Sequence, residues 1–266
     1  MTGYYSFPTV YGETVVFTCE DDLWSVNTQG GRAYRLTADV AAATNPRLSP
    51  DGQWLAFIGR TEGHGEVYVA PATGGEATRL TYFGATQCSV AGWHPQTGEI
   101  VFASDGRQPF FRLNVLYTIG RDGGEPVELP YGPANQIAFG PGGAVVLGRN
   151  VGEPARWKRY RGGTAGDLWI DPTGGGDFHR LIKLSGNLAS ACWVGTRIYF
   201  LSDHEGVGNV YSCPPDGTDL RRHTDQEDFY ARNLSGDGTQ LLRLASRQQI
   251  ACRRNSREEN RVQDQV

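Results

Sequence analysis

Three consecutive residues, Asp203, His204 and Glu205, place an imidazole between two carboxylates. Such a group could transfer protons or, with further ligands, hold a metal ion. No second histidine follows four residues after His204, so the helical zinc-binding spacing is missing. The matching position of an earlier repeat, residues 61–64, reads Thr-Glu-Gly-His. This recurrence favours a structural turn over a catalytic or metal-binding site.

Other catalytic and cofactor motifs have little support in the sequence. The chain contains no Gly-x-Ser-x-Gly motif, and its serines and five histidines are scattered, so nothing local indicates a catalytic triad. Residues 63–65 and 206–208 read Gly-x-Gly, but each precedes a Val-Tyr strand and lacks the third glycine of a dinucleotide loop. No Gly-Lys-Ser/Thr phosphate loop occurs. We therefore predict no catalytic residue, cofactor or metal site in this chain.

One basic segment, residues 149–161, is the most informative polar stretch. It contains five basic residues and one acid, Glu153, in a chain whose net charge is −4. Fixed positive charges beside a low-dielectric passage concentrate anions. We predict that the segment lines or rims a channel and binds carboxylates through four side chains: Arg156, Lys158, Arg159 and Arg161. The alternative is a solvated surface loop with ion pairs to neighbouring repeats.

The elements that must position these residues recur along the chain. Each repeat has a strand with a central aromatic residue, a turn with paired or single glycine, and a short second strand. The aromatic residues are Trp24, Tyr68, Tyr117, Trp169 and Tyr211, spaced by 44, 49, 52 and 42 residues. This period is typical of four-stranded β-propeller blades. No segment has the apolar stripe of a helix over three turns.

The repeats predict an all-β propeller over residues 4–244 with about five complete blades and a partial sixth. The predicted blades are 6–37, 45–81, 87–129, 135–184, 188–224 and the partial 230–244. Residues 245–266 show no glycine turn and many polar groups. We expect them to form an unpatterned, disordered tail that results from a frameshift or truncation. A half-built blade would leave an open strand edge, which is an aggregation hazard.

Composition narrows the functional classes. A chain of 266 residues fits one large all-β domain, and 36 glycines fit many tight turns. The negative net charge argues against a nucleic-acid partner. No apolar run of 18 residues and no N-terminal export signal are present, so we expect no membrane association and a cytoplasmic location. Five cysteines without a CxxC pair fit reduced thiols in the cytosol.

Several stretches resemble known propellers. Residues 49–52 read Ser-Pro-Asp-Gly and are followed by Leu-Ala-Phe at 55–57, which resembles the repeat of TolB-type propellers. Residues 156–169 read Arg-Trp-Lys-Arg-Tyr-Arg-Gly-Gly-Thr-Ala-Gly-Asp-Leu-Trp, and residues 201–211 read Leu-Ser-Asp-His-Glu-Gly-Val-Gly-Asn-Val-Tyr. These two stretches resemble the fourth and fifth blades of tricorn proteases, and residues 7–24 resemble the first. The resemblance covers about residues 4–240.

The resemblance implies a role that the residues alone do not. Tricorn proteases are large cytoplasmic serine peptidases that degrade oligopeptides downstream of the proteasome, and their N-terminal six-bladed propeller is regarded as a filter for peptides. Their catalytic serine, histidine and glutamate lie further along the family's chain, and no residue here matches them. We therefore expect a non-catalytic scaffold and peptide gate, truncated before the catalytic core. Its expected partners are oligopeptides and the remaining domains of a tricorn-like protease, and an oligomer is compatible with this role.

Two alternatives stay open. The first is a stand-alone TolB-like propeller that binds proteins through one face. The second is an enzyme with its own site at the channel mouth. Whether this chain is itself an enzyme is therefore undecided by its sequence.

Overall fold

The computed structural model describes residues 3–38, 41–156, 158–246, 249–254 and 259–262. The described residues form six antiparallel sheets of four strands, and each sheet uses one continuous stretch of chain. The innermost strands contact one another in a ring that runs from the first sheet to the sixth and back to the first. The fold is a six-bladed β-propeller, so the predicted all-β class and four-stranded blades are confirmed.

The first three blades follow the chain in order. Blade 1 contains β1 (Tyr5–Tyr11), β2 (Thr14–Cys19), β3 (Asp22–Asn27) and β4 (Tyr34–Arg35). Blade 2 contains β5 (Ala43–Leu48), β6 (Trp54–Gly59), β7 (Glu66–Pro71) and β8 (Thr78–Arg79). Blade 3 contains β9 (Cys88–Trp93), β10 (Ile100–Ser104), β11 (Val115–Gly120) and β12 (Gly123–Pro133). In every blade the first strand is the innermost.

The other three blades repeat this order. Blade 4 contains β13 (Gln136–Phe139), β14 (Val145–Arg149), β15 (Asp167–Asp171) and β16 (His179–Arg180). Blade 5 contains β17 (Leu188–Val194), β18 (Arg197–Ser202), β19 (Asn209–Cys213) and β20 (Arg221–Arg222). Blade 6 contains β21 (Arg232–Gly236), β22 (Gln240–Ser246), β23 (Gln249–Arg254) and β24 (Glu259–Val262). Two short 3-10 helices, Pro141–Gly143 and Pro154–Arg156, lie in loops of blade 4, and no described helix is long and apolar enough to cross a membrane.

Turn chemistry explains why the chain reverses where it does. In the turn between β5 and β6, the N–H of Gly52 donates to the carbonyl of Ser49 at 2.9 Å, and Gly52 has a φ of 69°. Glycine adopts this conformation without the steric penalty that a Cβ brings. A Cβ at Gly52 would also stand 2.1 Å from the Tyr11 ring of blade 1. The turn therefore needs glycine both for its backbone and for the close approach of two blades.

The core consists of six separate clusters of buried apolar side chains, one between each pair of adjacent blades. The middle of every second strand supplies one fully buried residue: Phe17, Phe57, Phe102, Leu147, Phe200 and Leu242. In the first five blades this residue pairs with the repeating Trp or Tyr of the third strand. The repeating aromatic residues therefore mark the contacts between blades.

The predictions of a partial sixth blade and an unpaired tail are wrong for the described residues. Strand β23 pairs with β22, and β24 pairs with β23. The sixth blade escaped detection because Cys252 occupies the position that Trp or Tyr fills in the other blades, opposite Leu242. Residues 247–248, 255–258 and 263–266 of the predicted tail lie outside the described part. The frameshift expectation rested on the absence of a strand pattern in this segment. Because β23 and β24 are paired, that expectation loses its support.

Among the described strands, none is exchanged between the ends of the ring, because all four strands of blade 6 come from the last stretch of chain. Apolar packing joins blades 6 and 1: Leu242 and Ile250 lie in one cluster with Val15 and Phe17. Hydrogen bonds add to it. The Gln240 side chain donates to the carbonyl of residue 12, and the N–H of residue 12 donates to the carboxylate of residue 237 at 3.3 Å. Closure therefore depends on side chains of β22 and β23.

Candidate functional site

A channel of about 1340 Å³ runs along the axis of the ring. Its walls are the innermost strands of all six blades together with the loop that follows β14. Ligand pockets for small molecules usually have volumes of about 300–1,000 Å³. The channel is therefore large enough to admit a short extended peptide.

The channel lining is positively charged although the whole chain is negative. Five arginines line it: Arg47, Arg60, Arg112, Arg156 and Arg232. Two lining residues, Glu153 and Asp237, carry carboxylates. The described residues therefore give the channel three excess positive charges, whereas the net charge of the chain is −4.

The channel arginines also differ in their partners from eight arginines that lie outside the lining. Among the described residues, none of the five has a carboxylate oxygen within 4.0 Å. Eight arginines outside the lining do form such ion pairs: Arg35, Arg79, Arg107, Arg121, Arg180, Arg197, Arg221 and Arg222. Charges that have no ion-pair partner and face an enclosed passage attract anions from solution. The channel therefore has the electrostatics of an anion-binding site.

Three of these arginines share one mouth of the channel. Arg60 follows β6, Arg112 lies between β10 and β11, and Arg156 lies between β14 and β15. These loops all follow the last residue of a second strand. In blade 2 that residue, Gly59, pairs with Ala43, the first residue of the innermost strand, and blades 3 and 4 have the same arrangement. The loops therefore lie at the end of the channel where the innermost strands begin. Arg60, Arg112 and Arg156 form a basic rim on three adjacent blades, here called the arginine rim.

The structure places the four residues predicted from the basic segment in different surroundings. All four side chains are exposed, but Arg156 lines the channel, whereas Lys158, Arg159 and Arg161 lie outside that lining. The ammonium of Lys158 lies 5.0 Å from the centre of the Tyr230 ring. The backbone N–H of Arg159 donates to Oδ2 of Asp203, 2.6 Å away. Of the four, the channel brings only Arg156 together with other unpaired cations.

Amide side chains fasten the loop that contains Arg156. Gln136 Nε2 donates to the carbonyl of Gly152 at 2.9 Å, and Asn135 Nδ2 donates to the carbonyl of Asn150 at 3.1 Å. The backbone N–H of Asn233 in blade 6 donates to Glu153 Oε2 at 3.0 Å. Through Glu153 the loop of blade 4 therefore reaches across to blade 6 and narrows this mouth.

Glu153 has an unusual protonation equilibrium. Removal from solvent raises the pKa of its carboxyl to about 7. Hydrogen bonds from the N–H groups of Asn233 and Ala155 and the charges of Arg232 and Arg156 lower the pKa, but by less than burial raises it. The carboxyl therefore exchanges its proton near neutral pH, beside two arginines of the channel.

This pKa predicts a pH-dependent loss of stability. The folded protein binds the Glu153 proton more tightly than the unfolded chain, so its free energy of unfolding falls as pH rises from about 4.5 to about 7. Compared with Glu153→Gln, which cannot ionise, we expect a wild-type loss of about 1–3 kcal/mol over this window. Urea unfolding of both proteins at pH 5 and pH 8 measures it. Parallel pH profiles would contradict the assignment.

The Asp203-His204-Glu205 cluster has structural contacts. Oδ1 of Asp203 accepts from the backbone N–H of Asn187 at 2.7 Å, and the side chain is 1% exposed. Ser202 Oγ lies 3.0 Å from His204 Nδ1, but Ser202 is fully buried and no substrate can reach it. Burial also lowers the pKa of His204. These contacts favour the structural interpretation of the cluster. In the described part of the chain, no group of three or more His, Cys, Asp and Glu side chains is placed to hold a metal ion.

Sequence reasoning missed four channel residues, Arg47, Arg60, Arg112 and Arg232. They come from three different blades and are at least 13 residues apart, so no local charge cluster reveals them. Aligning the repeats could have indicated two of them, since Arg60 and Arg112 both lie in the loop between a second and a third strand. Arg47 and Arg232 lie on innermost strands. Which residues of these strands face the channel depends on bulges, and the sequence does not mark the bulges.

Six contiguous four-stranded blades around a basic channel define a propeller domain. The chain belongs to the family described as the tricorn protease N-terminal beta propeller domain, whose model matches residues 2–245.

Relatives agree with this assignment. The chain is 46% identical over 241 residues to tricorn protease homolog 1 of Streptomyces coelicolor, covering 90% of this chain and 22% of that protein. It is 36% identical over 244 residues to the tricorn protease of Thermoplasma acidophilum, covering 88% and 22%. The crystal structure of the tricorn protease superposes with a TM-score of 0.89 at 33% identity, covering all of this chain and 27% of that one. The chain thus spans about a fifth of the length of these curated relatives.

Proposed function

We propose that this chain is the propeller region of a tricorn-like serine peptidase and serves it as a non-catalytic scaffold and gate for oligopeptides. The peptidase would act in the cytoplasm on peptides produced by the proteasome, and the remaining domains would supply the chemistry. The proposal rests on one observation above all: the axial channel is lined by five arginines, none of which has a described carboxylate oxygen within 4.0 Å. Membership of the family supports the same role.

The gate would act by size and by charge. The channel admits extended peptides and excludes folded domains, because its walls are rigid strands that are paired within each blade. The arginine rim would raise the local concentration of peptides at the mouth, since every unblocked peptide has a carboxylate at its end. Glu153 would oppose the entry of additional negative charge when it is ionised. Together these groups select among peptides without any bond being cut.

A binding experiment with a fluorescent acidic hexapeptide tests the proposal. We expect the triple variant Arg60→Gln/Arg112→Gln/Arg156→Gln to bind about tenfold more weakly at low salt, because three charges at about 0.5 kcal/mol each correspond to that factor. The matched control is Arg35→Gln/Arg121→Gln/Arg180→Gln, which changes the net charge equally at exposed sites outside the channel lining. Fluorescence anisotropy at 50 and 300 mM salt measures the peptide affinity of both triple variants.

Two outcomes would count against a channel site. Equal losses in the two triple variants would show that only the net charge matters. A larger loss in Lys158→Gln/Arg159→Gln/Arg161→Gln than in the rim variant would show that peptides bind the outer side of the loop.

A further inference from the structure

Arg47 differs from the arginine rim because it lies on an innermost strand, β5, inside the channel. Its Nη1 donates to the carbonyl of Pro46 at 3.0 Å. An arginine offers five N–H donors in a planar fork. Within the described ranges, the Pro46 carbonyl is the one recorded acceptor for its guanidinium, and no carboxylate oxygen lies within 4.0 Å. The side chain is thus a cation in the channel without a charged partner.

The backbone fixes the position of this side chain. A bulge interrupts the pairing of β5 with β6 between Thr44 and Arg47, where Asn45 has a φ of 53°. The indole Nε1 of Trp93, in blade 3, donates to the carbonyl of Arg47 at 2.9 Å. A strained bulge and a hydrogen bond between blades therefore set the direction in which the Arg47 side chain leaves the strand.

The same bulge in three other blades shows how unusual Arg47 is. In these blades the equivalents of Asn45, which also have positive φ, are Phe7, Ser190 and Asn233. The equivalents of Arg47, two positions later, are Thr9, Cys192 and Ser235. All three lie in the channel lining, and all are small. At the height of these bulges in the channel, Arg47 therefore faces small neutral side chains, which leave space around its guanidinium for a ligand.

The electrostatics of Arg47 agree with a binding position for an anion. Burial lowers the pKa of Arg47 to about 10, and the one group that raises it is the Cys192 thiol on the opposite blade. Partly removing a charge from solvent without a counterion costs stability. A bound carboxylate would compensate for this cost and could accept two hydrogen bonds from the planar guanidinium.

We propose that Arg47 is the binding point for a single carboxylate inside the channel, supplied by the C-terminus of a peptide or by an acidic side chain. The inference deepens the proposed function and rests on it. The arginine rim would gather anionic peptides at the mouth, and Arg47 would hold one carboxylate further along the passage. Peptides would then enter with their carboxylate group leading.

Calorimetry with three acetylated tripeptides tests the proposal on the full chain. The probes are acetyl-Ala-Ala-Ala with a free carboxylate, the same peptide as its amide, and acetyl-Ala-Glu-Ala amide. We expect the wild type to bind the free acid at least tenfold more tightly than the Ala amide. Arg47→Gln should reduce this preference to less than threefold, and Arg47→Lys should leave an intermediate preference. Arg121→Gln, a control at an exposed site outside the channel lining, should retain it. Binding of the Glu peptide amide distinguishes a side-chain carboxylate from a C-terminal one.

The outcomes separate this inference from the proposed function. A preference that survives in folded Arg47→Gln overturns the inference, as does equal binding of acid and amide to the wild type, and both leave the peptide gate standing. Absence of binding by every probe overturns both proposals.

Thermal unfolding provides a second measurement that does not depend on affinity. The free acid should raise the unfolding temperature of the wild type and not that of Arg47→Gln. Without ligand, Arg47→Gln should unfold at the same temperature as the wild type or higher, because it removes an unpaired charge. A decrease of more than a few degrees would show that Arg47 is structural and would overturn the inference.

Discussion

A chain that ends at residue 246 is expected to aggregate instead of folding to a monomer. The deletion removes β23 and β24 and exposes the whole edge of β22, whose N–H and C=O groups would then lack partners. It also removes Ile250 and Cys252 from the cluster that joins blades 6 and 1. Since no described strand is exchanged between the ends of the ring, this cluster is a main link between them.

Light scattering and circular dichroism of the truncated and complete chains measure this effect. A milder variant, Ile250→Ala, should fold but lose about 2–4 kcal/mol of unfolding free energy, because Ile250 is 2% exposed. Its control is Gln249→Ala at the neighbouring, partly exposed position, which should change the stability by less than about 0.5 kcal/mol. A truncated monomer with the unfolding temperature of the complete chain would contradict the assignment of β23 and β24.

Phe57→Ala is expected to cost about 3–5 kcal/mol of unfolding free energy. Phe57 is fully buried in the cluster between blades 1 and 2, and its ring stacks on Tyr68 with centroids 5.7 Å apart. Rigid strands surround the position on both sides, so the cavity cannot collapse. The loss of unfolding free energy should therefore lie near the upper end of the range that is typical when a core aromatic residue is replaced by alanine.

Equilibrium urea unfolding of three proteins measures it: the wild type, Phe57→Ala and Phe57→Leu. The leucine variant keeps most of the volume, and β14 already has a leucine at the equivalent position, Leu147. We expect it to lose less than about 1.5 kcal/mol. A loss below about 1 kcal/mol for the alanine variant would show that the contacts between blades contribute little to stability.

The sequence predicts most of the fold because the spacing of its repeats follows from what each blade needs in order to pack and turn. A blade needs an aromatic or apolar side chain at the centre of its strands to pack against the next blade, and tight turns need glycine. Trp24, Tyr68 and their three counterparts expose this period in five blades. The sixth was underestimated because Cys252 fills the aromatic position, and a small thiol is not recognised as the same packing element.

The channel was less predictable because it is assembled from distant residues. A search for local charge found residues 149–161, and one of its four predicted members, Arg156, lines the channel. The other arginines of the channel are separated by whole strands. Arg47 faces inward because of a bulge at Asn45, and the sequence gives no sign of that bulge.

The distribution of ion pairs links the fold to its proposed role. Outer arginines, such as Arg79 and Arg197, are matched by carboxylates that connect neighbouring segments. Among the described residues, arginines of the channel are left without such matches, although pairing would stabilise the folded chain. We infer that the unpaired charges are retained for a ligand that is itself anionic.

Photo-crosslinking of an acidic peptide tests this account most directly. The complete chain is irradiated with an oligopeptide that has a benzophenone group and a free C-terminus, and mass spectrometry maps the attachment sites and the length of the peptide. The account predicts an intact peptide attached to innermost strands such as Ala43–Leu48 and Leu188–Val194 and to the loop around Arg156. Attachment to outer strands, or hydrolysis of the peptide by this chain, would contradict it.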